Sequence, residues 1–183
     1  KVTITAIKED TLIAAFWRKA SPLILASDHK PGHTTTISGC SVVLDPRLAA
    51  LGYRVIGSKL NIEKFISREL PDSATKSNFD SHRLENGVPD GSRDIQVNKS
   101  FLLESNFEEL NGVAFDKGCY VGQENTARQK HRGTIRRRLV KVNISGPAPV
   151  NNERILWKNT EIGKMRSVRD NVGMATIRLD RWT

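Results

Sequence analysis

From Leu139 to Leu179 the chain is cut into short alternating runs by closely spaced turn residues, and this punctuation narrows the possible folds most. Leu139-Val-Lys-Val-Asn-Ile144 alternates apolar and polar residues, and Gly146-Pro147-Ala-Pro149 turns the chain. Arg154-Ile-Leu-Trp157 extends, Asn159-Thr160 turns again before Glu161–Met165, and Asp170-Asn171 leads into Val172–Leu179. Short strands with a period of two and turns at this spacing predict a small barrel or sandwich. The first block is also strand-rich, with Val2–Ile7, Leu12–Trp17, Leu23–Leu25, Thr34–Leu44 and Tyr53–Ile56 as expected strands and Asp45-Pro46-Arg47 as a turn. Asn61 to Leu70 differs: Ile62, Phe65, Ile66 and Leu70 fall at helical spacing, and Pro71 ends the run.

The middle of the chain is polar and heavily punctuated. Asp72 to Asn78 reads as a loop, Asp80 to Asn86 as a short helix ending at Gly87, and Pro89-Asp90-Gly91 and Asn111-Gly112 as turns. The expectation is an α+β protein in three segments. Residues 1–70 form a sheet-rich α+β unit, 71–138 a helix-bearing segment, and 139–183 a C-terminal β-barrel, which need not be complete. The chain opens on Lys1 inside an apparent strand, which predicts that an N-terminal segment, with any targeting information, lies outside it.

Composition excludes some classes. With 38% hydrophobic and 27% charged residues the chain is globular in type, and no apolar run approaches the roughly 20 residues of a membrane helix. Cys40 and Cys119 make no disulfide framework; their scarcity fits a reducing compartment, and a single bridge stays open. No Cys-x-x-Cys pair occurs and the four histidines are scattered, so no closed zinc site is expected. The net charge of +9 is concentrated between Arg128 and Arg138. That cluster suits nucleic acid, an anionic ligand tail or an acidic partner, and equally a solvated helix end; its lack of aromatic residues weakens a single-stranded nucleic-acid platform.

Lys117-Gly-Cys119-Tyr-Val-Gly-Gln123-Glu124 is the most informative chemical motif. Gly118 and Gly122 allow a tight loop that exposes the thiol. The helix expected from Gln123 to Lys130 would place its positive end near Cys119, where thiolate is favoured over thiol. A reactive or ligand-binding cysteine and a small apolar turn residue are the two readings. Glu124 and Gln123 can cap the helix or present polar groups to a ligand, and Arg83 and Glu85, two apart, share a face only off a helix. Asp45 and Arg47 read as a turn-locking pair.

The motif at 117–124, with Ala127-Arg128 and His131-Arg132-Gly133 after it, resembles the YgfZ-type folate-binding family, relatives of the glycine-cleavage T-protein. Glu104-Ser-Asn-Phe107 and Leu110-Asn-Gly-Val113 are similar to its mitochondrial and alphaproteobacterial branch, Asp45-Pro46-Arg47 with Leu51–Arg54 to a second family segment, and Arg83-Leu-Glu85-x-Gly87 to a stretch shared with the T-protein. Asn125 departs from the usual apolar residue. The resemblance implies T-protein-type α+β units with a C-terminal barrel around an opening for tetrahydrofolate, the N-terminal part of the first unit being missing here. It further implies that Arg83, Glu85, Gln123, Glu124 and Arg128 bind the folate, with Cys119 as the functional thiol at its rim.

The implied role is a tetrahydrofolate-binding accessory factor for assembly or repair of iron–sulfur proteins, in the bacterial cytoplasm or mitochondrial matrix. Its expected partners are iron–sulfur carrier or scaffold proteins, and no membrane. A lone thiolate cannot complete four-thiolate ligation, so any transient cluster would be shared with a partner. A folate-dependent aminomethyltransferase and an RNA-binding protein linked to tRNA modification are the alternatives, which leaves open whether the protein is an enzyme.

Overall fold

The computed structural model describes residues 10–17, 29–69, 74–133 and 135–182. The strands expected at Val2–Ile7 and Leu23–Leu25 lie outside them. The chain divides into two compact units, Lys1–Thr75 and Lys76–Thr183. The middle and last sequence segments therefore belong to one unit.

In the first unit, strands β1 (Thr11–Phe16), β2 (Thr34–Ile37), β3 (Cys40–Leu44) and β4 (Tyr53–Ser58) form an antiparallel sheet of order β1-β4-β3-β2. The run expected as one extended stretch from Thr34 folds back as a hairpin, with Ile37 paired to Cys40. Ser38 and Gly39 make the turn with φ of 50° and 74°, the left-handed conformation that a two-residue hairpin requires. Helix α1 (Lys59–Glu69) follows β4 directly. Its Ile62 and Phe65 are buried with Val42, Leu44, Tyr53, Val55 and Phe16, and Phe16 stacks on Tyr53 at 5.3 Å between ring centroids. Asp45 locks the following turn as expected, accepting bonds from the Arg47 backbone N–H and guanidinium and from Arg54 Nε.

The second unit opens with α2 (Lys76–Glu85). This helix begins before Asp80, where the sequence reads as loop, because Lys76, Ser77 and Asn78 form an exposed first turn and have no apolar face to show. The left-handed Gly87 terminates the helix region as expected. A short 3₁₀ turn at Leu103–Ser105 and helix α3 (Gln123–Arg132) follow, then strands β5 (Arg137–Asn143), β6 (Arg154–Trp157), β7 (Thr160–Arg169) and β8 (Val172–Arg178). These strands form an antiparallel sheet of order β5-β8-β7-β6.

Central strand β8 is buried on both faces. Met174 packs with Leu84 of α2 and Leu139 of β5, while Ala175 and Ile177 pack with Met165, Val140, Val142 and Ile155. The β6–β7 hairpin turns through Lys158 and Asn159, both at positive φ. Strand β7 runs four residues past the expected Met165 and contains a bulge between Met165 and Val168. The bulge breaks the in–out alternation, so Met165, Arg166 and Ser167 are all buried in succession.

Candidate functional site: a cysteine loop and a buried arginine network

Cys119 is exposed, in the loop that enters α3, and makes no hydrogen bond among the described residues. The loop is closed by a reciprocal pair: Gln123 N donates to Tyr120 O, and Tyr120 N donates to Gln123 Oε1, both at 3.1 Å. Gly122 sits at φ 87°, a conformation that costs side-chain-bearing residues energy, and it sets the chain direction into the helix. Gly118 lies outside the left-handed region and has no heavy atom near its missing Cβ, so only one of the two flanking glycines is required by the backbone. The Lys117 ammonium lies 4.9 Å from the Tyr120 ring centroid. Among the described residues the Tyr120 hydroxyl is sealed without a partner.

Gln123 and Glu124 begin α3 as expected. Gln123 is occupied in closing the loop, while Glu124 pairs one turn on with Arg128 at 2.6 Å, both side chains being solvent-facing. Acidic Glu124 at the start and Lys130, His131 and Arg132 at the end complement the helix dipole.

The basic stretch from Arg128 to Arg138 is answered by carboxylates. Lys130 pairs with Glu108 and lies over the Phe115 ring, Arg137 bonds Glu104 at 3.2 Å, and Arg138 reaches Glu109 at 2.6 Å. With Arg128 on Glu124, four of its cations are tied to glutamates. The sequence counted the charge but not its partners, because three of those glutamates lie on the Leu103–Leu110 segment, which carries no periodic signal.

Arg83 and Glu85 both lie on α2, so they point apart; Arg83 is 4% exposed, whereas Glu85 faces solvent. Arg83 is thus neither a surface arginine nor a side chain free to face an opening. It donates through Nε to Asp80 (2.6 Å), through Nη1 to Asp94 (2.8 Å) and the Val88 carbonyl (3.0 Å), and through Nη2 to Ser167 Oγ (2.9 Å). Asp94 in turn accepts from Ser167 N, Ser167 Oγ and Asp90 N. Asp80 also accepts from Arg93 and Arg169. Burial alone would push the Asp80 carboxyl up, but hydrogen bonds from Arg93, Arg83 and Arg169 outweigh it and hold it well below the usual range. Hydrogen bonding to Asp80 raises Arg93 despite partial burial.

This network joins α2, the loop after it and β7. It explains why the two segments separated by sequence reading fold as one unit. Asp80, Asp94 and Ser167 escaped the sequence analysis because they are polar residues far apart in the chain, brought together only by tertiary structure.

Two of the expected folate-binding side chains are engaged within the protein. The Arg83 donors are occupied by protein acceptors, Gln123 closes a loop, and no hydrogen bond or ion pair links Arg83 or Glu85 to residues 117–128. Among the described residues, no group of three or more His, Cys, Asp or Glu is placed to hold a metal ion. Cys40, by contrast with Cys119, is fully buried, and burial pushes its thiol up and out of the reactive range. No described helix is long and apolar enough to cross a membrane.

Comparison with known proteins defines the class first. Residues 136–183 match the model of the CAF17 C-terminal beta-barrel domain, so the four-stranded sheet after Arg136 corresponds to that barrel. The human mitochondrial iron–sulfur cluster assembly factor IBA57 is 36% identical over 147 residues, covering 76% of this chain and 40% of that protein. Its mouse counterpart is 34% identical over 143 residues, covering 75% and 39%. The Dictyostelium discoideum mitochondrial homolog is 38% identical over 109 residues, covering 58% and 26%. The chain spans about two fifths of the length of the human and mouse proteins. It belongs to the YgfZ/CAF17-type family, in the branch that contains the IBA57 factors.

Proposed function

We propose that this chain is part of a mitochondrial accessory factor for iron–sulfur protein assembly, with Cys119 as its functional thiol. The observation that carries the reading is the exposed Cys119 sulfur in a loop fixed by Gly122 and the Tyr120–Gln123 pair, in a chain whose relatives are named as iron–sulfur cluster assembly factors. Exposure at a helix entry suits a sulfur that must meet another macromolecule. The cluster is cargo here: Cys119 supplies one sulfur ligand, and a carrier or scaffold protein supplies the others.

Tetrahydrofolate binding belongs to the same proposal, in a T-protein-type fold completed by the rest of the protein. It rests on the sequence resemblance. Glu85, Glu124 and Arg128 are the expected ligands that remain at the surface, and no step is assigned to the folate.

The test uses the full-length protein. Cys119→Ser is expected to abolish maturation of iron–sulfur enzymes in cells depleted of the native protein, with unfolding unchanged because the side chain is exposed. Full maturation by the variant would remove the thiol from the function. Absence of tetrahydrofolate binding by the intact wild type in calorimetry would remove the folate separately.

A further inference from the structure

Arg166 sits in the β7 bulge and is 6% exposed. A buried guanidinium stays charged and ordinarily takes a carboxylate or other anion as partner, since burying an uncompensated charge is costly. Arg166 has none among the described residues. Its Nε donates to Thr176 Oγ1 at 3.0 Å and its Nη1 to Asn152 Oδ1 at 2.5 Å, both neutral acceptors. Asp94 is near enough to favour the charged form, but both its oxygens are already occupied, by Ser167 on one side and by Arg83 and the Asp90 N–H on the other. A second cation, Arg137, which is itself paired with Glu104, opposes the charge on Arg166. Desolvation and Arg137 together lower the Arg166 pKa against the pull of Asp94.

The remaining donor has a defined position. Arg166 Nη2 makes no hydrogen bond, and the sealed side-chain N or O atom without a partner among the described residues is the Tyr120 hydroxyl instead. Nη2 therefore still reaches solvent. Thr176 and Asn152 hold the guanidinium plane at two points and leave Nη2 without a protein acceptor among the described residues. A fixed, mostly desolvated guanidinium held only by neutral acceptors and with one donor group unpaired has the chemistry of an oxyanion receptor.

We propose that Arg166, with Thr176 and Asn152 orienting it, binds an oxyanion, the carboxylate or phosphate group of a small molecule. This is independent of the cysteine reading, since it uses other residues and another chemistry.

The test is a titration of the ¹⁵N-labelled full chain, following the Arg166 Nε–Hε resonance, which Arg166→Lys identifies by its disappearance. Inorganic phosphate and glutarate are the two probes, with sodium chloride at matched ionic strength as reference. The expected result is a saturating shift with one or both probes, and the probe that saturates assigns the group as phosphate or carboxylate. Arg166→Gln is expected to weaken the binding by about tenfold or more, the loss of a charge-assisted pair. Shifts no larger than those with chloride for both probes overturn the proposal. So does undiminished binding by a folded Arg166→Gln variant. The wild-type titration decides the question even where that variant does not fold.

Discussion

Arg83 meets an acceptor in every direction its guanidinium faces: Asp80, Asp94, the Val88 carbonyl and Ser167. Removing it leaves Asp94, whose side chain is 0% exposed, without its cation. Arg83→Met is therefore expected to destabilise the protein by about 3–5 kcal/mol in urea unfolding, whereas Glu85→Ala, on the exposed side of α2, should stay within about 0.5 kcal/mol. Equal stability of the two variants would show that Arg83 is not structural. Asp80 gives the same network a pH signature. Its folded pKa is depressed, so its stabilisation is complete above the unfolded value of about 3.9 and is lost as pH falls through that value toward the lower folded one. The wild-type urea midpoint should fall between about pH 5 and pH 3, and Asp80→Asn should flatten that slope while lowering the midpoint at pH 7. The sequence marked Arg83 through its resemblance to a shared family stretch, yet assigned it to a ligand. Only tertiary structure brings Ser167 to it.

At the scale of elements, hydrophobic period was the readable signal. Helix α1 formed where Ile62, Phe65 and Ile66 are spaced for one face, and β5, β6 and β8 formed where the chain alternates between turn residues. The first turn of α2 was missed because its exposed residues have no period to show, and the end of β7 because a bulge destroys alternation. The cysteine loop was legible as a loop, but sequence alone gave its two glycines equal weight. Structure separates them. Gly122→Ala places a side chain at φ 87° and is expected to cost about 1 kcal/mol, fraying the start of α3. Gly118→Ala enters open space without a positive φ and should leave the thermal midpoint unchanged. Circular dichroism melts of the two single variants make the comparison; equal losses would mean that the loop does not depend on the Gly122 conformation.

For the molecule as a whole, the net charge of +9 invites an expectation of RNA binding, but charge acts only where it is unpaired. The densest basic stretch faces Glu104, Glu108, Glu109 and Glu124, which engage Arg137, Lys130, Arg138 and Arg128. Surface pairs of this kind add little stability, yet they lower the local potential that a phosphate backbone would meet. The prediction concerns salt dependence rather than affinity alone. Wild-type binding to a single-stranded RNA oligomer should be weak and shallow in a plot of log K against log salt. The triple variant Glu104→Gln, Glu108→Gln, Glu109→Gln frees three cations, each able to displace a counterion, and should steepen that slope by about 2. Fluorescence anisotropy across 50–200 mM salt reads both proteins directly. A steep wild-type slope that the triple variant does not change would mean that other cations carry the contact, and would favour the RNA-binding alternative.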